Sequence, residues 1–298
     1  MPATHYICPN GATIPIAECL KQCTNSQRCM FLPTLKAVAD SLERNLDKPS
    51  VTELLSGTRE IYLKKTTNYA IDPQKQLYAL HGSAVHTINE NHIDGNMLSE
   101  ERFFDEITSG KLDLYGQIVN DDIAVLGDIK ITNSYKLMKA LGIYKEDVPT
   151  GEIYKTGTKQ GQPKTRKQFR YDGVRNFMDW ALQINYYRIL LEKHGLKVNT
   201  MLIQALCRDV NTRIAAERGI TKPVYLISIN KISDKWINRY MRYKAKALQQ
   251  AFETNTLPLP CRPKETWNGR KCLEYCVVAD NCTHAKWLKE AALNKRAA

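Results

Sequence analysis

The chain has 298 residues, 43% of them hydrophobic and 25% charged, with 43 Lys and Arg against 31 Asp and Glu for a net charge of +12. That balance describes a folded globular protein with one large core, or one core plus small appended modules. No apolar run approaches the ~18 residues a membrane span needs, and the first residues lack a basic-then-apolar leader. The expectation is a cytoplasmic protein that does not enter membranes, with a positive surface suited to polyanions such as nucleic acid.

In chain order, residues 1–30 form the first unit. Cys8, Cys19, Cys23 and Cys29 follow the pattern C-x10-C-L-x2-C-x5-C. The same spacing returns near the end in Cys261, Cys272, Cys276 and Cys282. Four thiolates close in sequence can saturate one tetrahedral ion or one iron–sulfur cluster, and each group is complete in itself. Two separate four-cysteine centres are therefore expected. Zinc is slightly favoured over [4Fe–4S], although the C-x2-C knuckle common in zinc modules is absent. The ninth cysteine, Cys207, lies in an apolar run and reads as core.

Between these groups, residues 32–48 carry Leu35, Val38, Leu42 and Leu46 near helical period. Ser50-Val51-Thr52-Glu53 has the form of a helix start. A helix is expected over 76–91 and strands over 98–132, with residues 121–122 turning between 112–119 and 123–132. Residues 149–175 hold Gly151, Gly157, Gly161 and Pro163 among many cations and read as a basic loop. A helix over 176–194, strands over 198–208 and 223–231, and a helix over 233–253 follow. This order predicts an α/β fold, a mixed sheet flanked by helices. The division is 1–30, 31–255, and 256–298 for the second cysteine module with a basic tail.

The chemistry centres on Asp128-Ile129-Lys130. Residues two apart on a strand share a face, so a carboxylate able to bind a divalent cation stands beside an ammonium able to steady developing negative charge. His86 lies upstream on a helix, and Gln183 and Tyr187 lie one helical turn apart downstream.

Gly82-Ser83-Ala84-Val85-His86, Gly127-Asp128-Ile129-Lys130, Gln183 to Tyr187 and the terminal Cys272, Cys276 and Cys282 occur in one order. This set resembles the RecB-like branch of the PD-(D/E)XK nucleases, which includes phage-type exonucleases and the CRISPR-associated and AddB-type iron–sulfur nucleases. The resemblance covers roughly residues 50–285. It implies a restriction-endonuclease-like core and an Mg²⁺- or Mn²⁺-dependent DNA nuclease, of exonuclease type, in recombination, repair or phage replication. It assigns metal binding to His86, to Asp128 and to an acid on the preceding strand, with Lys130, Gln183 and Tyr187 completing the catalytic set, and Glu101 as a weaker candidate acid ahead of the hairpin. It makes a [4Fe–4S] cluster in the C-terminal group nearly as strong an expectation as zinc.

Two departures stand out. The family usually has four ligand cysteines where this chain has eight. Its first strand acid aligns either with Asp113, in Gly110-Lys111-Leu112-Asp113, or with Val119. Hairpin geometry favours Asp113, because paired positions sum to a constant. With Val119 in that place the chain would be a DNA-binding or assembly protein that has lost cleavage. A zinc-module adaptor would explain only the cysteines and the charge. Lys159, Lys164, Arg166, Lys167, Arg170 and Arg175 are the expected contacts to the DNA backbone.

Overall fold

A computed structural model describes residues 3–25, 27–42, 48–119 and 123–297. The expected turn at 121–122 and the end of the first helix, with Leu46, lie outside the described residues.

The chain opens with β1 (His5–Ile7) and β2 (Thr13–Pro15), an antiparallel pair, followed by α1 (Ile16–Lys21) and α2 (Leu32–Leu42). Next come α3 (Val51–Leu55), α4 (Thr58–Thr66) and β3 (Ala70–Ile71), which pairs in parallel with β1. Tyr6 is buried between these pieces and its hydroxyl donates to the Leu35 carbonyl at 3.0 Å. Leu35, Val38 and Ile71 complete this small core, so the unit packs well beyond residue 30. At α3 the Ser50 hydroxyl accepts from the Glu53 backbone N–H, and the Glu53 carboxylate accepts from the Ser50 N–H at 2.7 Å. This is the reciprocal cap that the sequence signature anticipates.

Then follow α5 (Leu77–Glu90), β4 (Leu98–Ser99), β5 (Arg102–Phe104), β6 (Ser109–Lys111), β7 (Leu114–Gly116) and β8 (Val125–Thr132). After α6 (Ser134–Ala140), the residues read as a basic loop instead form a long hairpin, β9 (Tyr144–Ile153) with β10 (Pro163–Arg170). Charged residues on both exposed faces hide the apolar alternation that normally marks a strand. Two glycines close the hairpin's base. Gly142 has φ +68°, and a Cβ there would lie 2.3 Å from the Gly173 carbonyl oxygen, a place only glycine tolerates.

The remainder is α7 (Met178–Lys193), β11 (Thr200–Cys207), α8 (Arg213–Glu217), β12 (Val224–Ser228), α9 (Asp234–Glu253), α10 (Arg270–Glu274) and α11 (Thr283–Ala297). The result is a mixed α/β protein. Its main sheet has five strands in the order β12-β11-β8-β7-β4. β8 and β11 are parallel and the other neighbours antiparallel. Val125 to Ile129 are all buried, as expected of a strand covered on both faces. α7 is buried continuously from Trp180 to Leu191, the mark of an interior helix. It contacts α3, α9, β5, β6 and the sheet. Cys207 is buried at the end of β11. Among the described residues no helix is long and apolar enough to cross a membrane.

Candidate active site

β7 and β8 pair with Leu114 opposite Gly127. One step further along that register, Asp113 and Asp128 fall opposite each other on one face. The Asp113 carboxylate accepts from the Ile129 backbone N–H at 2.6 Å. Val119, the rival position for the strand acid, is 53% exposed.

α5 brings His86 to the same place. Its Nδ1 lies 2.8 Å from Glu100 Oε1 and 3.7 Å from Asp113 Oδ1. His86, Glu100 and Asp113 each offer a ligand atom, all within 4.8 Å of one another. The acid supplied ahead of the hairpin is therefore Glu100, whereas Glu101 is exposed. Glu100 has φ +55°, a backbone conformation uncommon outside glycine. Such outliers concentrate where function over-determines the backbone. Lys111 pairs with the other Glu100 oxygen at 2.5 Å.

On the other side of Asp128 stand the remaining residues. Lys130 Nζ lies 2.8 Å from Asp128 Oδ2 and donates to Gln183 Oε1 at 3.1 Å. Gln183 Nε2 donates to Asp128 Oδ1 at 3.2 Å and to the Tyr187 hydroxyl at 3.0 Å. The amide is thus read on both ends and has one orientation. Asp128 is wholly buried, and its Oδ2 makes the ion pair without a well-aligned hydrogen bond.

Burial, followed by the charge of Asp128, pushes the Asp113 carboxyl up to about 8, while Lys130 and the Ile129 N–H pull against them. Burial alone would lower the Lys130 ammonium, but Asp128 and Asp113 outweigh it and hold it above the usual lysine value. Burial and the charge of Asp128 likewise raise the Tyr187 phenol. Two carboxyls that resist joint ionisation, beside an imidazole and a third carboxylate, make a donor set that suits a hard or borderline divalent cation such as Mg²⁺ or Mn²⁺.

The cysteines lie elsewhere, in two groups. Cys8, Cys19, Cys23 and Cys29 together line a cavity of about 220 Å³. Arg28 ties the surrounding loop by donating to the Cys19 and Lys21 carbonyls. Cys261, Cys272, Cys276 and Cys282 line a second, tighter cavity with Arg59, Glu60 and Lys271. Here Arg59 donates to the Pro258 carbonyl at 2.6 Å, and Lys271 pairs with Glu60 at 2.6 Å. Gly57, at the start of α4, leaves room for Cys261, whose sulfur is 2.2 Å from where a Cβ would stand. None of the cysteines is joined in a disulfide. Among the described residues no three cysteine sulfurs lie within 4.8 Å of one another.

Of the six expected DNA contacts, Lys164, Arg166, Lys167 and Arg170 lie on β10 and Lys159 in the hairpin's tip. Lys164 pairs with Glu152 and Arg170 with Glu146. Arg175 follows the hairpin and donates to the Ala140 carbonyl at 3.2 Å.

No family model matches the chain, and no curated protein matches its sequence. Among solved structures, the crystal structure of SSO0001 is similar over 84% of this chain and 93% of its own, with 15% identity and a TM-score of 0.46.

Proposed function

We propose that this protein is a metal-dependent DNA nuclease, of exonuclease type, in the PD-(D/E)XK manner. The observation that carries the reading is the cluster of His86, Glu100 and Asp113, with Asp113 opposite Asp128 and Asp128 linked to Lys130, Gln183 and Tyr187. Mg²⁺ or Mn²⁺ held by His86, Glu100 and Asp113, with Asp128 alongside, would supply Lewis-acid activation of water and phosphate. The chain's own contributions follow from geometry. Lys130 presents a firmly charged ammonium where negative charge grows on a phosphate under attack. Asp128 and Gln183 fix its direction, and Tyr187 fixes Gln183. The β9–β10 hairpin supplies cations for backbone phosphates, which position DNA without reading sequence. The two four-cysteine groups complete the proposal as structural metal centres, zinc or [4Fe–4S].

The rival reading, a DNA-binding or assembly protein that has lost cleavage, places Val119 at the acid position; the exposure of Val119 and the position of Asp113 opposite Asp128 favour the nuclease over it. The test is cleavage of end-labelled DNA by pure protein in Mg²⁺ or Mn²⁺, with EDTA as control, beside Lys130→Ala of wild-type melting temperature. Cleavage by the variant at the wild-type rate would refute the nuclease assignment.

A further inference from the structure

Glu100 is held between two partners. Its Oε1 faces the His86 imidazole at 2.8 Å, and its Oε2 faces the Lys111 ammonium at 2.5 Å. The backbone fixes where these groups meet. The Glu100 N–H and the Ser99 hydroxyl both donate to the Asp113 carbonyl, at 3.2 and 3.0 Å. Lys111 ends β6, just ahead of Asp113. Gly110 sets the height of that strand. A Cβ there would lie 2.9 Å from the Tyr187 ring and 2.7 Å from Leu190, so β6 rests directly on α7. Successive strand residues face opposite ways, and Lys111 therefore turns from α7 toward solvent and Glu100. The two lysines of the site differ in freedom. Lys130 has 22% of its side chain exposed and is tied to both Asp128 and Gln183. Lys111 has 45% exposed, and among the described residues its ion pair is with Glu100.

We propose that Lys111 is a built-in competitor for the divalent cation: its ammonium engages Glu100 and keeps the affinity of the His86–Glu100–Asp113 cluster for Mg²⁺ or Mn²⁺ low. The proposal rests on the reading of that cluster as a cation site. A carboxylate has lone pairs enough for two partners, so Lys111 does not block a cation outright. It neutralises part of the charge that Glu100 offers and repels a second positive group close by. An ammonium on a flexible four-carbon stem can leave its partner without rearranging the fold. Lys130, tied at two points, cannot play this part. Competition has a consequence for loading. Mg²⁺ commonly takes only one or two carboxylates and completes its shell with waters and substrate phosphates. A phosphate arriving at the cluster draws Lys111 off Glu100 while adding oxygens for the cation, so anion and cation each favour the other's binding. If Lys111 merely positioned Glu100, the sign would be opposite: its removal would loosen the carboxylate and weaken cation binding.

The test measures Mn²⁺ binding to the full chain by electron paramagnetic resonance of the free aquo ion, at about 0.15 M salt so that remote charges are screened. Lys111→Met is expected to tighten Mn²⁺ binding about tenfold, and Lys111→Gln to do the same. Arg102→Met removes an equal charge from the residue directly opposite Lys111 on β5. With the remote charge screened, it should change the affinity less than about twofold. In a Glu100→Gln background, Lys111→Met should likewise act by less than about twofold, because the competition passes through that carboxylate. Unchanged or weaker Mn²⁺ binding by the Lys111 variants would overturn the proposal, as would equal tightening in Arg102→Met or in the Glu100→Gln background. If wild type binds Mn²⁺ no better than Asp113→Ala, the cation site and its competitor fall together. If DNA is cut while the Lys111 variants bind Mn²⁺ like wild type, the competitor falls and the nuclease reading stands. If they bind Mn²⁺ more tightly yet wild type leaves DNA intact, the nuclease reading falls and the competitor stands.

Discussion

The carboxylate pocket and the cysteine groups both gather candidate metal ligands, but they do so in different ways. In the carboxylate cluster, His86, Glu100 and Asp113 converge within 4.8 Å; the Ile129 N–H holds Asp113 and Lys111 holds Glu100, while Lys130 and Gln183 hold the neighbouring Asp128. In the cysteine groups the four sulfurs surround a space and no three converge to that degree. A tetrahedral zinc with Zn–S of about 2.3 Å would bring its sulfurs within about 3.8 Å of one another. Carboxylates and imidazoles are strong hydrogen-bonding groups that a fold can hold in place by itself. Thiols are weak ones, so their final geometry depends on what they bind. The carboxylate cluster is held in place by the protein's own hydrogen bonds and ion pairs, whereas among the described residues the proposed cysteine centres show no such convergence.

Four measurements sharpen or break that contrast. The largest effect belongs to the pocket. Glu100→Gln and Asp113→Ala should each reduce Mn²⁺-dependent cleavage by a factor of about 10² to 10⁴ while circular dichroism and melting stay close to wild type. Loss of fold in both variants would place these acids on the structural side of the comparison. Next comes metal removal from the cysteine groups. Cys19→Ser with Cys23→Ser, or Cys272→Ser with Cys276→Ser, should lower the melting temperature by about 10 °C, because metal binding by such modules is coupled to folding. Metal analysis of wild-type protein should find two centres per chain, and absorbance near ~400 nm would identify iron–sulfur chemistry. Unchanged melting and metal content in either double variant would refute that group as a structural centre.

The hairpin is expected to matter less. Lys159→Ala, Arg166→Ala and Lys167→Ala together should flatten the salt dependence of DNA binding by about two to three in log K against log salt. An unaltered slope would remove β9–β10 from the interface. The smallest effect is on stability in EDTA. The raised Asp113 carboxyl keeps a proton in the folded state that the unfolded chain releases above its ordinary value of about 4. The contribution of Asp113 to stability is therefore full below about pH 4 and is lost as pH rises to about 8. Asp113→Asn carries no such proton, so its stability relative to wild type should grow across that window and level off above it. A difference in melting temperature that stays flat from pH 5 to 9 would show that Asp113 ionises freely.

The readable parts of this molecule were those written in periodic or paired form. The hairpin arithmetic that sets Asp113 against Asp128 needs only the register of two strands, and the Gln183–Tyr187 spacing needs only a helix. Glu100 escaped because its positive φ breaks strand alternation and exchanges it with Glu101, and nothing in Ser99-Glu100-Glu101-Arg102 signals a left-handed residue. The β9–β10 hairpin escaped because neither of its faces is consistently apolar. The three-part division at residues 30 and 255 followed the cysteines, but packing does not stop there. β1 takes a strand from residues 70–71, and α4 meets the second cysteine group directly.

That last contact has a consequence for the order of events during synthesis. Arg59 and Pro258 are 199 residues apart. At about 5–20 residues per second, roughly 10–40 s separate their appearance from the ribosome. Throughout that interval Arg59, which the finished protein buries, lacks the Pro258 carbonyl, and Glu60 has Lys64 of its own helix but not Lys271. The pieces flanking α4 can collapse early, but this helix stays a nascent seam until the second cysteine group arrives. A later-made segment thus seals a much earlier one.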